Sequence, residues 1–200
     1  MIKNIVFDIG QVLKGWHPER LPELMGEKTG EAVRKAVCGN PLWQELDRGI
    51  MPEEEILSRM ISENQEVVNE ILYLWDHLEI ISEKLDYAIP WLQELKDRGY
   101  GLYYLSNYSY HLRTTVPQTL AFLPLMDGGI FSYEAKLLKP DPVFYEMLLK
   151  TYRLVAEECI FIDDRAENVR AAEGCGMQGI LFRDYESARI ALEERLGERK

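Results

Sequence analysis

Residues 160–173 read IFIDDRAENVRAAE, and this stretch decides the architecture. Three apolar residues, Ile160-Phe161-Ile162, end abruptly in two acids, Asp163 and Asp164, and a helical segment follows over 165–173. A short apolar run rich in β-branched and aromatic residues marks a strand buried on both faces, as in a parallel sheet. The pattern recurs along the chain. Ile5-Val6-Phe7 ends in Asp8, and Leu102-Tyr103-Tyr104-Leu105 ends in Ser106-Asn107. Ile180-Leu181-Phe182 is a fourth strand and Ile130-Phe131 a weaker fifth.

Helical segments separate these runs. Residues 87–98 carry Ile89, Leu92 and Leu95 at helical spacing, with Gly99 as the stop. Asp141-Pro142 starts another helix as N-cap and first-turn proline, with Phe144, Met147 and Leu148 on one face. A last helix covers 186–196. This alternation predicts the α/β class, a Rossmann-like doubly wound parallel sheet with both faces covered. The interval 15–85 differs: it holds amphipathic stretches around 30–38, 53–62 and 65–80, no convincing strand, and Gly15, Pro18, Pro22 and Gly26 at its entry. The expected organisation is an α/β core of residues 1–14 and 86–200 and a small helical cap, residues 15–85, inserted after the first strand. Such a cap would sit over the carboxyl ends of the strands, where open α/β sheets bind ligands.

Composition narrows the function. A chain of 200 residues, 46% hydrophobic and 28% charged, suits one soluble α/β domain with a modest insertion. Its formal charge of -11 comes with no basic stripe, which argues against nucleic acid and anionic membranes as partners. An anionic substrate stays open, because a bound metal reverses the local field. Cys38, Cys159 and Cys175 are odd in number and widely spaced, so neither a disulfide framework nor a zinc site is indicated. The start MIKNIVFD turns polar too soon for a secretory segment, and no run approaches membrane-spanning length. A cytoplasmic protein with reduced thiols is expected.

In a parallel sheet the strand ends share one edge, so Asp8, Ser106, Asn107, Asp163 and Asp164 can converge. One acid at a strand end can simply cap the next helix or form a turn. Three such ends, one with paired acids, indicate a pocket. Converging carboxylates repel and favour protonation unless a cation is present. Hard oxygen donors of this kind suit Mg²⁺. Lys139, just before the Asp141 helix start, could reach back to neutralise a phosphate oxygen and hold an attacking Asp ionised; a solvated loop lysine is the alternative.

These residues resemble the four-motif signature of the haloacid-dehalogenase-like superfamily. IVFDIGQVL (5–13) is similar to motif one, YLSN (104–107) to motif two, LLKPDPVFY (137–145) to motif three and FIDDRAENVRAAEGCGM (161–177) to motif four. GWHPERL (15–21) and LWQELDRGIMPEEEI (42–56) resemble cap segments of a bacterial subgroup that includes glucose-1-phosphate phosphatases. The resemblance implies a Mg²⁺-dependent phosphatase acting on a small phosphorylated metabolite, with hexose phosphate the nearest guess. It implies Asp8 as nucleophile, Ser106 and Asn107 contacting the phosphoryl group, and Lys139 neutralising it. It also implies metal ligation by Asp8, the Gly10 carbonyl and Asp164, with Asp163 supporting and Asn168 orienting motif four or Lys139. An aspartyl phosphate would form and then be cleaved by water.

One position departs from that pattern. Most phosphatases of the superfamily carry a second Asp two residues after the nucleophile as general acid and base, and here Gly10 stands there. Loss of such a group typically costs on the order of 10² to 10⁴ in rate. His17 is the nearest titratable substitute, although a loop histidine with a structural use is the commoner case. Of Trp16, Trp43, Trp75 and Tyr108, the motif neighbours Trp16 and Tyr108 are the stronger candidates for lining a sugar-sized pocket; His111 has no assigned role. Three rival readings follow from the same residues, of which phosphomutase activity is opposed by the absence of the second Asp at Gly10. Metal-free dehalogenation is opposed by the doubled Asp163-Asp164, and a catalytically silent phosphate sensor is opposed by retention of Asp8, Ser106, Lys139 and Asp164.

Overall fold

The computed structural model describes residues 1–197; the last three, which the expected core segment 86–200 includes, lie outside the described residues. The strands are β1 (Asn4–Phe7), β2 (Lys14–Trp16), β3 (Ser82–Lys84), β4 (Gly101–Ser106), β5 (Gly128–Phe131), β6 (Cys159–Asp163) and β7 (Gln178–Leu181). Five of them form one parallel sheet in the order β5-β4-β1-β6-β7. Phe7 pairs with Tyr104 on one side and Ile162 on the other, so the three acid- or polar-tipped strands end side by side.

Helices α1 (Leu21–Met25), α2 (Glu27–Ala36), α3 (Leu42–Arg48), α4 (Glu53–Glu63) and α5 (Val68–Asp76) lie between β2 and β3. The remainder are α6 (Ala88–Asp97), α7 (Tyr110–Thr115), α8 (Ser132–Ala135), α9 (Pro142–Tyr152), α10 (Ala166–Gly174) and α11 (Tyr185–Leu196). Alternating side chains of each strand point to opposite faces. Ile5 and Phe7 pack with Trp91 and Leu95 of α6 and Leu192 of α11. Val6 packs on the other face with Phe144 and Leu148 of α9 and Ala172 of α10. Both faces are covered, which is why the β1 triplet is apolar without interruption. Asp141 caps α9 by accepting the Val143 N–H at 3.0 Å, and Gly99, at φ +82°, ends α6.

The interval expected to lack strands contains a two-stranded antiparallel ribbon at its neck, with Lys14 opposite Lys84 and Trp16 opposite Ser82. Its strands, KGW and SEK, are too short to show an alternating pattern, and their pairing spans the whole helical interval. The short helices α1 and α3 were likewise not expected. No helix among the described residues is long and apolar enough to cross a membrane.

Gly30 marks a close approach between α1 and α2. A Cβ on it would lie 2.1 Å from the Leu21 carbonyl oxygen, so α1 and α2 touch backbone to side. Gly30→Ala is therefore expected to cost about 1–3 kcal/mol through overpacking. Urea denaturation measures this, and an unchanged midpoint would mean that α1 is free to move aside.

Candidate active site

The Asp8 backbone N–H donates to the Ile162 carbonyl at 2.8 Å, which carries the β1–β6 ladder one residue past the strand and fixes the Asp8 side chain at the sheet edge. Asp8 Oδ1 accepts from the Ile9 N–H at 2.7 Å and from the Ser106 hydroxyl at 2.7 Å, and Lys139 Nζ lies 2.8 Å from it. Burial pushes the Asp8 carboxyl above its ordinary pKa; Lys139 opposes this and Asp163 adds to it, and the net direction is upward.

Lys139 is buried between two carboxylates, with Nζ also 2.6 Å from Asp163 Oδ2. Burial alone would disfavour its charge, but Asp163 and Asp8 outweigh that effect and hold the ammonium protonated above its usual range. Asn107 clamps the Lys139 backbone from both sides: its Oδ1 accepts the Lys139 N–H at 2.8 Å and its Nδ2 donates to the Lys139 carbonyl at 3.1 Å. Asp163 is fully buried and spends both oxygens, Oδ1 on the Arg165 N–H (2.8 Å) and Asn168 Nδ2 (2.9 Å), Oδ2 on Lys139 and Asn168. Asn168 thus orients Asp163, and through it Lys139.

Carboxylate oxygens of Asp8, Asp163 and Asp164 come within 4.8 Å of one another. Three acids share one lysine, and burial together with Asp8 and Asp163 pushes the partly exposed Asp164 up to about 6. With Asp163 committed to hydrogen bonds, Asp8 and Asp164 face the cavity as hard oxygen donors, and this donor set fits a divalent cation such as magnesium.

A cavity of about 530 Å³ opens above them. Asp8, Gly10, Lys139 and Asp164 line its floor, while Trp16, Trp43, Gln44 and Asp47 come from the ribbon and α3. Ser106 lies beneath the floor with its hydroxyl on Asp8. Trp16 and Trp43 lean together at 5.4 Å between ring centroids, and Tyr108 also lines the cavity. Trp75 does not; it stacks on His111, whose Nε2 is hydrogen-bonded to the Trp75 carbonyl. His17 is turned away as well, between Glu19 (2.9 Å) and Glu83 (3.3 Å) on the ribbon, and is not part of the cavity wall.

Two buried ionisable residues of the cavity were missed from the sequence. Lys14, in β2, is buried with Nζ 4.9 Å from the Trp16 ring centroid and 5.4 Å from that of Tyr108. Burial lowers its pKa to about 7, against an upward pull from Asp47. Asp47, in the last turn of α3, is 8% exposed, and its Oδ1 has no hydrogen-bond partner. Burial first, then the charge of Asp8, raises its pKa to about 8, with Lys14 and Lys139 opposing. The available signal was an acid in a helix's last turn, where the dipole disfavours negative charge.

Comparison with known proteins follows the same lines. Residues 2–176 match the model of a family described as haloacid dehalogenase-like hydrolase. The sesquiterpene phosphatase astK of Aspergillus oryzae is 26% identical over 195 residues, which cover 98% of this chain and 97% of that protein. The D-ribitol-5-phosphate phosphatase of Bacteroides thetaiotaomicron is 23% identical over 198 residues, covering 89% of this chain and 90% of that protein. A HAD family enzyme from Bacteroides thetaiotaomicron, crystallised in complex with magnesium and inorganic phosphate, has the same fold: TM-score 0.76 at 20% identity, covering 94% of this chain and 98% of that one.

Proposed function

Since the chain belongs to the haloacid dehalogenase-like hydrolases, we propose that it is a magnesium-dependent phosphatase of a small polyhydroxylated phosphomonoester, working through an aspartyl phosphate on Asp8. The observation that supports this most is the pinning of Asp8, whose Oδ1 meets three donors at 2.7–2.8 Å while the carboxylate lines the cavity. With the Ile9 N–H and Lys139 still holding it when the Ser106 hydroxyl turns to substrate, the carboxylate is already placed for a bound phosphorus atom.

In this reading Asp8 attacks phosphorus in line with the leaving oxygen, and water later cleaves the acyl phosphate. Lys139 places a fixed positive charge where the transferring group gathers negative charge. Asn107 and Asp163 act by holding Lys139, and Asn168 by holding Asp163. The Ser106 hydroxyl turns from Asp8 to a phosphoryl oxygen when substrate binds. Asp8, the Gly10 carbonyl and Asp164 would hold magnesium, which supplies the charge that keeps neighbouring carboxylates ionised and neutralises phosphoryl oxygens.

The segment 15–85 acts as a cap that selects the leaving group. Its contribution to the cavity mixes the Trp16 and Trp43 faces with Gln44 and Asp47, a surface suited to stacking on and hydrogen-bonding a sugar or polyol. The polyol phosphate named for the Bacteroides relative agrees with that choice. Phosphate release from a panel of phosphomonoesters, with magnesium and with chelator, tests the reading. Sugar or polyol phosphates should be preferred and chelator should stop release. Release insensitive to chelator, or none across the panel, would overturn it.

A further inference from the structure

The leaving oxygen of an unactivated phosphate ester needs a proton, because it otherwise departs as a strongly basic anion. Among the described residues, none of the acids at the sheet edge, nor Lys139, is placed to give one. Asp8 is the attacking group, both Asp163 oxygens are occupied, Lys139 spans Asp8 and Asp163, and Asp164 belongs to the metal's donor set. Gly10 offers no side chain, and a Cβ there would meet nothing within 4 Å, so the space beside the nucleophile is open. The same cavity is lined by the buried Asp47, whose Oδ1 has no hydrogen-bond partner.

We propose that Asp47, delivered by α3 from the helical segment, is the general acid–base of this enzyme, an inference that rests on the phosphatase reading. As the Asp8–phosphorus bond forms and the ester bond breaks, the Asp47 carboxyl gives its proton to the leaving oxygen, releasing the alcohol. The Asp47 carboxylate then takes a proton from the water that attacks phosphorus and frees Asp8. The sum is ester plus water giving alcohol plus phosphate, with Asp47 restored.

The surroundings serve this role. The Ser132 hydroxyl donates to the Asp47 carbonyl at 2.6 Å and accepts the Tyr108 N–H at 2.8 Å, and Lys136 bonds the Gly49 carbonyl, so the end of α3 is indexed to the core loops. The charged and titratable groups acting on Asp47 are Lys14, Asp8 and Lys139, with Tyr108 alongside. Lys14 faces the charge that appears when the proton leaves. Burial, the larger effect, pushes the Asp47 carboxyl up from its ordinary range and so favours the protonated form a donor needs.

The test compares wild type with Asp47→Asn on phenyl phosphate, a poor leaving group, and p-nitrophenyl phosphate, a good one, with magnesium. Because kcat/KM reports steps up to loss of the alcohol, the variant should lose about 10²- to 10⁴-fold on phenyl phosphate and less than tenfold on p-nitrophenyl phosphate. Its kcat should fall on both, through the shared hydrolysis of the intermediate. In the wild type itself, kcat/KM for phenyl phosphate should fall toward alkaline pH, as the buried Asp47 carboxyl loses its proton, while that for p-nitrophenyl phosphate holds, a readout that stands even where the variant does not fold. An equal loss on both substrates, no loss on either, or matching pH profiles would overturn the assignment. A wild type inactive on both esters would instead sink the phosphatase reading, and this inference with it.

Discussion

Asp8→Asn is expected to lower metal-dependent phosphate release by roughly 10⁴- to 10⁶-fold, the scale seen when a covalent nucleophile is removed. An amide oxygen does not form the acyl phosphate, and no other carboxylate replaces it: Asp163 is locked in four hydrogen bonds and Asp164 approaches from the neighbouring strand end. The fold should survive. With its folded pKa raised above the unfolded one, Asp8 binds its proton more tightly in the native chain, so stability falls as pH rises through that interval. A neutral Asn avoids the loss, so the thermal midpoint at neutral pH, measured in chelator, should match or exceed that of the wild type. Residual activity within tenfold of wild type would mean that another group attacks phosphorus.

Lys139→Met has the second large effect, and it falls on stability as well as rate. The ammonium is the cation between Asp8 and Asp163, and all three groups are buried. Removing one partner of such an arrangement leaves uncompensated buried charge and costs about 3–5 kcal/mol. For a chain of this size that is a fall of roughly 6–20 °C in Tm. The sign with pH is definite: the penalty should be greatest near neutrality and shrink as acid protonates the carboxylate left unpaired, whose folded pKa is raised. Urea denaturation at pH 7 and pH 5 checks this. An unchanged midpoint at pH 7 would show that the two carboxylates do not depend on Lys139. Phosphate release should fall by about 10²- to 10³-fold from the lost stabilisation of the transferring group, provided the variant is assayed below its midpoint.

The strand ends were legible because buried parallel strands write themselves as uninterrupted apolar runs, and Ile5-Val6-Phe7 and Ile160-Phe161-Ile162 are found where those runs stand. Family membership was legible from the motifs at those ends, and the match over residues 2–176 agrees with it. The pairing at the neck was not. Whether His17 could reach the cavity depended on β2 lying against β3, which brings Glu83 to it, and no local pattern encodes that contact. Asn107 lines the cavity as expected of a residue near the phosphoryl group, and its amide has a second use, holding the Lys139 backbone, which only the geometry of two converging loops reveals. Asp47 and Lys14 were illegible for a related reason. Lys14 looks like an ordinary surface charge in sequence and Asp47 differs only by its place in a helix's last turn, and each becomes chemically unusual through burial and a shared cavity.

The formation of a covalent phosphoryl-enzyme on Asp8 is the most direct thing to measure. The wild type is mixed with p-nitrophenyl phosphate and magnesium, quenched in borohydride, and its peptides are sequenced by mass spectrometry. Reduction of an acyl phosphate converts the aspartate to homoserine, so the expected result is homoserine at position 8 in the wild type and none in Asp8→Asn. Steady release of phosphate with position 8 unreduced, or reduction at another carboxylate, would contradict the mechanism.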